Sequence, residues 1–246
     1  ATATEWNSKE TAAPFRFFQK GINTYSSDYS NELPNIGRSL EQDKDGSLRE
    51  FIKQTLRNSD ISIDGFMFEA KDMKKEEFLA GFPPQVRGII PFDEAADNRS
   101  YSIRTIHNVK GEEGRKPYAL DIMEESEGTR AIFTLAPILR NAFLTGEVVC
   151  VDEMDRSLHP ALLQYLVKCF MDVDLNVNNA QLIMSSHMIS LLSLELLRRD
   201  QIYFVEKDRM TGQSELYSLD EFSPRKTEDI RKAYLLGRYG AVPEIQ

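Results

Sequence analysis

The spacing of apolar positions changes along the chain and predicts which segments form helices and which form strands. Apolar residues recur three or four positions apart in four predicted helices, over residues 48–56, 131–143, 160–170 and 188–197. Alternation with a period of two, or a short continuous apolar run, predicts strands over residues 61–68, 100–107, 147–153, 181–187 and 201–206. The first 50 residues are polar, which is typical of helices and loops at the rim of a domain.

Single residues indicate where these elements begin and break. Ser47 is the predicted N-cap of the first helix, and the chain is expected to enter the helix over residues 160–170 through Ser157. Pro137 lies inside the second helix and should kink it. The charged run over residues 71–77 fits a solvated helix or loop, with a recognition patch as the alternative.

Between residues 147 and 206 the predicted strands alternate with helices, which is the pattern of a parallel sheet with crossover helices. In such a sheet, sites form where the strands end at their carboxyl side. The first of these strands ends in Asp152 and Glu153, and the second ends in Ser185, Ser186 and His187. The sequence therefore predicts a polar edge at the mouth of a crevice.

These strand ends carry chemistry suited to phosphoryl transfer. An Asp can hold Mg²⁺ directly or through water, an adjacent Glu can polarise an attacking water, and a His can contact a transferring phosphoryl group. Taken singly, Asp152 and Glu153 fit solvated acids, and His187 fits a structural histidine. Their joint placement favours a catalytic edge.

Composition excludes several classes of protein. The 246 residues fit one large α/β unit, and 41% hydrophobic with 28% charged residues excludes wholesale disorder. A net charge of −9 excludes a globally basic nucleic-acid clamp but leaves local basic patches open. No run approaches the roughly 20 apolar residues of a membrane helix, so no membrane partner is expected. Cys150 and Cys169 are expected as buried thiols of a reducing, cytoplasmic compartment, and the absence of C-x-x-C and H-E-x-x-H motifs argues against a zinc site.

Five motifs resemble, in order, those of ABC-type ATPases of the prokaryotic AAA-type and OLD-like branch. They are a signature over residues 124–130, a Walker B segment over 148–153, a D-loop over 154–160, an H-loop over 181–187 and a tail running from 197–208 to 234–243. The D-loop reads Met-Asp-Arg-Ser-Leu-His-Pro, and the signature reads Glu-Glu-Ser-Glu-Gly-Thr-Arg. Each motif alone is a weak signal, and their common order over roughly residues 120–243 makes the resemblance specific.

The resemblance implies an α/β, P-loop NTPase-like (ABC-type) fold, in which helices flank a parallel sheet and an α+β segment is inserted. Residues 1–24 are expected to form the N-terminal part of the ATPase lobe and residues 25–118 the strands and helical insertion. Residues 119–246 are expected to form the C-terminal ATPase lobe with the signature, Walker B, D-loop and H-loop. Partner specificity is expected in the insertion.

The resemblance also implies the roles of the polar strand ends. Asp152 would hold Mg²⁺, Glu153 would serve as the base that activates water, and His187 would sense or stabilise the γ-phosphate of ATP. Arg198 and Arg199, by contrast, fit surface or helix-end cations better than arginine fingers.

In ABC-type dimers the signature acts on the nucleotide of the partner copy. Ser126 and Gly128 would then present a hydroxyl and a backbone N–H to ATP at a helix N-terminus, and Ser157 and His159 would lie near the nucleotide at the dimer seam. His159 stands where transporter-type D-loops carry Asp. The alternative for residues 157–160 is a plain helix start with Pro160 in its first turn, which explains most of this segment, although the functional interpretation is favoured. Glu125 and Glu127 also fit solvated acids near a helix start.

The chief departure from the family is an absent Walker A motif. No G-x-x-x-x-G-K-[ST] occurs in the 246 residues, and the glycines of residues 111–117 have the wrong spacing and fit a turn. We therefore expect that Ala1 is not the natural start and that the P-loop half lies elsewhere. Little ATP binding is expected from these residues alone, because the cradle supplies most phosphate contacts.

Three functions are compatible with this pattern. The first is the C-terminal portion of an ABC-type ATPase that hydrolyses ATP with Mg²⁺ in a homodimer or higher oligomer. Its family commonly supplies the ATPase or sensor subunit of bacterial anti-phage modules, which controls a nuclease or toxin effector, and nucleic acid could bind through missing or partner parts. The second is a non-hydrolysing scaffold that sequesters an effector protein. The third, an OLD-type ATPase-nuclease fragment, is disfavoured because residues after the ATPase tail are few.

Overall fold

Over the residues that the structure describes, the fold is a mixed α/β arrangement with one parallel and two antiparallel sheets. A computed structural model describes residues 9–25, 32–59, 61, 63–89, 99–111 and 114–242. Its α-helices are α1 (Lys9–Arg16), α2 (Leu33–Gln42), α3 (Ser47–Asn58), α4 (Lys75–Ala80), α5 (Glu127–Thr145), α6 (Pro160–Met171) and α7 (Ile230–Leu235). Its strands are β1 (Ile22–Tyr25), β2 (Gly65–Asp72), β3 (Arg99–Gly111), β4 (Gly114–Asp121), β5 (Val148–Val151), β6 (Gln181–Met184), β7 (Tyr203–Lys207) and β8 (Ser214–Ser218).

The parallel sheet has the order β1-β5-β6. β5 pairs in parallel with both neighbours, so that Val151 lies between Tyr25 and Met184 at the carboxyl ends. Helix α6 connects β5 to β6, and this crossover arises because parallel neighbours cannot be joined by a tight turn. The predicted parallel strands after residue 147 and after residue 181 are confirmed, as is an α/β fold in which helices flank a parallel sheet. β1 was not predicted as a strand from its own pattern.

The predicted third parallel strand, over residues 201–206, is wrong. A strand forms there, but β7 pairs antiparallel with β8 in a separate two-stranded sheet. The predicted helix over residues 188–197 is also wrong, because only the single 3-10 turn Ile189–Leu191 forms. Leu191 is buried in the main core whereas Leu192 and Leu194 pack against a second core around β7, so the chain must turn between the two.

The antiparallel sheet has the order β2-β3-β4. The strand predicted from residue 61 begins at Gly65, and the one predicted over residues 100–107 extends over all of β3. The late start of β2 is explained by Asp64, the residue before it. Its side-chain carboxylate accepts the Asn108 N–H at 3.1 Å, while its own N–H donates to the Ile106 carbonyl. The charged run after residue 71 ends β2 and then forms α4, as a solvated helix would.

Helix α5 is the centre of the main core. Eleven of its residues are buried, and α3 packs along it. Phe66 of β2 meets Phe133 of α5 edge to face, with ring centroids 5.1 Å apart. Buried residues from Ile36 to Leu191 form one continuous hydrophobic cluster, so the antiparallel sheet and the parallel sheet pack against a shared core. The helix passes through Pro137 without ending there.

The structure corrects the predicted N-cap of α3. Ser47 is the first helical residue of α3 and not its cap: Gly46 is the N-cap, and the Asp43 carboxylate accepts the Leu48 and Arg49 N–H groups at 3.1 Å each.

The two cysteines are free, as expected, and burial raises the pKa of the Cys169 thiol. No helix within the described ranges is long and apolar enough to cross a membrane.

Gly146 ends α5 in a left-handed conformation and lies against a neighbouring backbone. Its φ is 73°, and a Cβ there would stand 2.5 Å from the Asn178 carbonyl oxygen. We expect Gly146→Ala to lower the free energy of unfolding by about 2–3 kcal/mol, because left-handed strain and a backbone clash add. Gly212, with φ 71° and open space around it, is the matched control. Gly212→Ala should cost about 1 kcal/mol in urea unfolding, and equal losses would refute the clash.

Candidate functional site

Ser185 joins the carboxyl ends of β5 and β6. Its hydroxyl donates to the Asp152 carboxylate and accepts the Glu153 N–H at 2.8 Å. Its backbone N–H donates to Val151 at 3.1 Å, and its carbonyl accepts the Met154 N–H at 3.1 Å. Through its side chain, its N–H and its carbonyl, Ser185 therefore fixes both acids relative to the neighbouring strand.

Glu153 is held in an unusual backbone conformation next to His187. Its φ of 48° is left-handed, a conformation that costs a non-glycine residue on the order of 1 kcal/mol or more and often marks functional sites. The Glu153 Oε1 lies 3.9 Å from the His187 Nε2, and the side chains are 52% and 86% exposed. The His187 N–H is within 3.3 Å of both Asp155 carboxylate oxygens, so the two loops are tied together behind the side chains. The structure therefore places His187 beside Glu153, and Ser185 beside Asp152, at the same edge of the sheet.

This edge has the donors that Mg²⁺ prefers. The exposed Asp152 carboxylate and the Ser185 hydroxyl are hard oxygen ligands, and Mg²⁺ is usually held by one or two protein oxygens together with water and phosphate. Within the described parts of the chain, no group of three or more His, Cys, Asp or Glu residues forms a metal site by itself. The donor set fits a phosphate-bound magnesium ion and does not fit a dedicated metal cage.

The start of α5 is capped by Ser126. The Ser126 Oγ accepts the Thr129 N–H at 3.1 Å and lies 2.8 Å from the Thr129 hydroxyl. Ser126 is exposed and Gly128 is half-buried. The helix begins where the signature resemblance implies, four residues earlier than the apolar spacing predicts, because the polar first turn carries no apolar periodicity.

Within this same chain, the predicted D-loop, residues 154–160, packs directly on the predicted signature, residues 124–130. The Ser157 hydroxyl donates to Glu127 at 2.6 Å, and a Cβ at Gly128 would stand 3.1 Å from the Ser157 carbonyl oxygen. Glu127 is therefore not merely a solvated acid, and the missing side chain at position 128 permits the close approach of the loop. The two motifs form one structural unit.

Ser157 does not begin helix α6, which corrects the predicted entry. Its φ of 64° is left-handed, so it belongs to the preceding turn. His159 is the N-cap instead, and its Nδ1 accepts the Ala161 N–H at 3.2 Å. The helix start thus uses one nitrogen of His159 and leaves Nε2 as the atom through which this side chain could meet a nucleotide or a partner.

A cluster that the sequence did not predict lies immediately before Ser126. Glu125, for which a solvated acid is one interpretation of the sequence, is only 8% exposed at its side chain. Its Oε1 accepts the hydroxyl of the fully buried Thr105 and lies 2.6 Å from the His107 Nε2. Residues 105 and 107 share one face of the predicted strand, which is the signal that could have drawn attention to them.

The structure also gives the surroundings of Tyr25 and of two arginines, Arg198 and Arg199. Tyr25 ends β1 beside the site edge, and burial, followed by the charges of Glu147 and Glu32, raises its pKa to about 12, so its phenol stays neutral near pH 7. Arg198 makes a two-pronged pair with Asp200, at 3.0 and 2.9 Å, and Arg199 pairs with Asp220 at 3.4 Å. Both arginines are therefore held in ion pairs, which agrees with their interpretation as surface or helix-end cations.

A family model and a solved structure match this chain. A family model described as "AAA domain, putative AbiEii toxin, Type IV TA system" matches residues 6–193, which is most of the chain. No curated protein matches. Among solved structures, the chain is similar to an SmcHead bound to the C-winged helix domain of ScpA, with 15% identity and a TM-score of 0.39. The match covers 78% of this chain and 47% of that one, so the chain spans just under half of that chain's length.

Proposed function

The chain belongs to the family of AAA domains linked to AbiEii and Type IV toxin–antitoxin systems, and from this premise we propose that it supplies half of a composite ATP-hydrolysis site. In this proposal two copies associate head to tail, as a dimer or within a higher oligomer. The strand ends of one copy and the signature of the other enclose ATP and Mg²⁺. The assembly then couples ATP turnover to an effector.

The observation that carries the proposal is the edge locked by Ser185. Asp152 would hold Mg²⁺, which when bound neutralises developing charge on the phosphate oxygens. Glu153 would accept the proton of the attacking water, and its side chain is 52% exposed, so a water can reach it. His187 would donate from its imidazole to a γ-phosphate oxygen.

The signature and D-loop would meet the partner copy. Ser126 offers a helix N-terminus whose first N–H groups favour phosphate. Its exposure in the single chain, and the Ser157–Glu127 bond that ties the D-loop to it, suit a surface completed by a second subunit. Gly128, Ser157 and His159 would line this seam.

The phosphate cradle would come from residues outside these 246. The sequence contains no G-x-x-x-x-G-K-[ST], and among the strands that the structure describes none pairs with the outer edge of β6. Ile183 in the middle of β6 is 60% exposed. A further parallel strand at this edge would cover Ile183 and bring its own carboxyl end beside Ser185, where a P-loop is needed.

For the assembly, we infer the role of ATPase or sensor subunit in a bacterial anti-phage defence module, with a nuclease or toxin as effector. The toxin–antitoxin link of the family supports this assignment. The missing Walker A motif favours a second candidate, a non-hydrolysing scaffold that sequesters the effector. ATP-independent capture of the effector, with no turnover in the presence of the P-loop, would favour the scaffold.

Mixing two inactive variants tests the head-to-tail arrangement. In the ATPase assembled with its P-loop, Asp152→Asn removes the magnesium ligand of one half-site and Ser126→Arg blocks the signature. Each variant alone should be inactive. Random exchange makes half the dimers mixed, each with one intact site of two, so an equimolar mixture should recover about one quarter of the unsubstituted turnover. A mixture as inactive as its components would exclude sites shared between copies.

A further inference from the structure

A buried carboxylate lies one residue before the signature serine. Glu125 is 8% exposed, and its Oε1 is approached by the hydroxyl of Thr105 and by Nε2 of His107 at 2.6 Å. Thr105 is fully buried and His107 is 26% exposed. The three residues belong to β3 and to the segment before α5 and not to the strand ends that carry Asp152 and Glu153, and the proposed hydrolysis does not use them.

A carboxylate at such a buried position is energetically unfavourable unless it is compensated. Burying a charge costs free energy unless specific hydrogen bonds compensate for the lost water, and an apolar side chain would pack there without that cost. The contacts instead define one position for Glu125, because both Thr105 and His107 converge on the same oxygen. Geometry of this kind is suited to fixing a backbone in place.

The backbone that is fixed belongs to the signature. Ser126 follows Glu125 directly and caps α5 through the Thr129 N–H. The partners of Glu125 lie on β3, the middle strand of the antiparallel sheet, and Thr105 stands opposite Leu120 of β4 in the register. A displacement of β3 would therefore be passed through Glu125 to the first turn of α5.

The sheet has an extended part at which such a displacement could begin. Among the described strands, β3 pairs beyond Ile106 with β4 alone, so the two form a two-stranded ribbon there. Val109 and Tyr118 on this ribbon are 56% and 59% exposed. His107 and Tyr118 are register partners at its base, so the ribbon begins at the residue that contacts Glu125.

We propose that Glu125, held by Thr105 and His107, is a positioning residue that sets the signature serine Ser126 for hydrolysis of the partner's ATP and thereby couples the antiparallel sheet to turnover. The inference rests on the proposed function. Glu125 touches no nucleotide. It acts through Ser126, so its loss damages only those composite sites to which its own chain contributes the signature.

Subunit mixing separates this role from general damage. We expect Glu125→Ala to lower kcat by about 10- to 100-fold, since small misplacement of a reacting surface costs this much, with KM for ATP changed less than about twofold. Mixed with Asp152→Asn, it should recover activity, because one site keeps an intact strand edge and an intact signature. Mixed with Ser126→Arg it should recover none, because neither site keeps a sound signature. Equal recovery in both mixtures would overturn the inference.

Thr105 provides a gentler variant if Glu125→Ala folds poorly. Thr105→Val keeps the shape and removes the hydroxyl, and should reproduce the kcat loss and the same mixing pattern. Thr105→Ser keeps the hydroxyl and should restore most of the activity. Glu50→Ala, an exposed acid in the first turn of α3, is the control and should leave kcat unchanged.

These mixtures distinguish failure of the composite site from failure of the positioning role of Glu125. If the mixture of Asp152→Asn with Ser126→Arg gives no recovery, the composite site itself is wrong and the inference falls with it. If that mixture recovers while Glu125→Ala and Thr105→Val behave like Glu50→Ala, the composite site stands and only the positioning role is refuted.

Discussion

Replacing Glu153 by Gln is expected to lower kcat for ATP hydrolysis by about 10²- to 10³-fold while ATP binding is retained, because the amide keeps the shape of the side chain but cannot accept a proton. Glu153 lies at the end of β5, 52% exposed and 3.9 Å from His187. Its backbone N–H is held by Ser185, and this contact does not involve the substituted carboxylate. Turnover and equilibrium nucleotide binding should be measured on the same P-loop-containing assembly.

Glu195→Gln is the matched control for this prediction. Glu195 is an exposed acid that lies outside the five motifs, and its replacement should leave kcat unchanged. Turnover by Glu153→Gln equal to that of this control would remove Glu153 from the proposed mechanism. Loss of ATP binding together with turnover would instead assign it to nucleotide or metal binding.

Much of the proposed edge could be predicted because it depends on local pattern. A short apolar run that stops at acids indicates a buried parallel strand with a polar carboxyl end, and two such runs separated by one amphipathic helix indicate neighbouring strands. Asp152, Glu153 and His187 were placed together on that ground. The hydrogen bonds of Ser185 then explain how the two ends are held in register.

The remaining strands depend on pairing that no local pattern reveals. β1 has four residues, Ile22–Tyr25, with no alternation, and it exists as a strand because β5 offers a parallel edge. β7 has the composition of a buried strand but pairs with β8, which begins only a few residues after β7 ends. Strand propensity predicts that such a segment is extended, and tertiary contacts decide which sheet it joins.

The acids around Ser126 show the same limit for side chains. Glu125 and Glu127 occupy polar positions at a helix start, where solvated carboxylates are common. Their partners are 18 to 30 residues away, on β3 and on the D-loop. Gly128 likewise resembles a phosphate-binding glycine, and the structure adds a contact with the Ser157 carbonyl that any side chain would crowd.

These contacts tie the antiparallel sheet to the parallel one through α5. The sheet reaches the start of α5 through Glu125 and its middle through Phe66, which meets Phe133 edge to face. The proposed division of the chain at residue 118 therefore crosses a shared core. A coupling role for the antiparallel sheet requires such continuity, because two independently packed units would transmit little to the signature.

Phe133→Ala is expected to lower the free energy of unfolding by about 3–5 kcal/mol, because it empties a fully buried aromatic position and removes the ring contact with Phe66. Unfolding in urea, followed by circular dichroism and by proteolysis at sites in each half of the chain, should give one transition. That transition should move to lower denaturant as a whole, since residues before and after position 118 share the cluster that Phe133 fills.

Leu144→Ala on the same helix is the control, because Leu144 is 55% exposed and its truncation leaves no cavity. It should change stability by less than about 1 kcal/mol. Two separate transitions, with Phe133→Ala shifting only the one that reports residues after 118, would show that the halves fold independently. In that case Glu125 would be a local anchor, and the antiparallel sheet could not set the signature for hydrolysis.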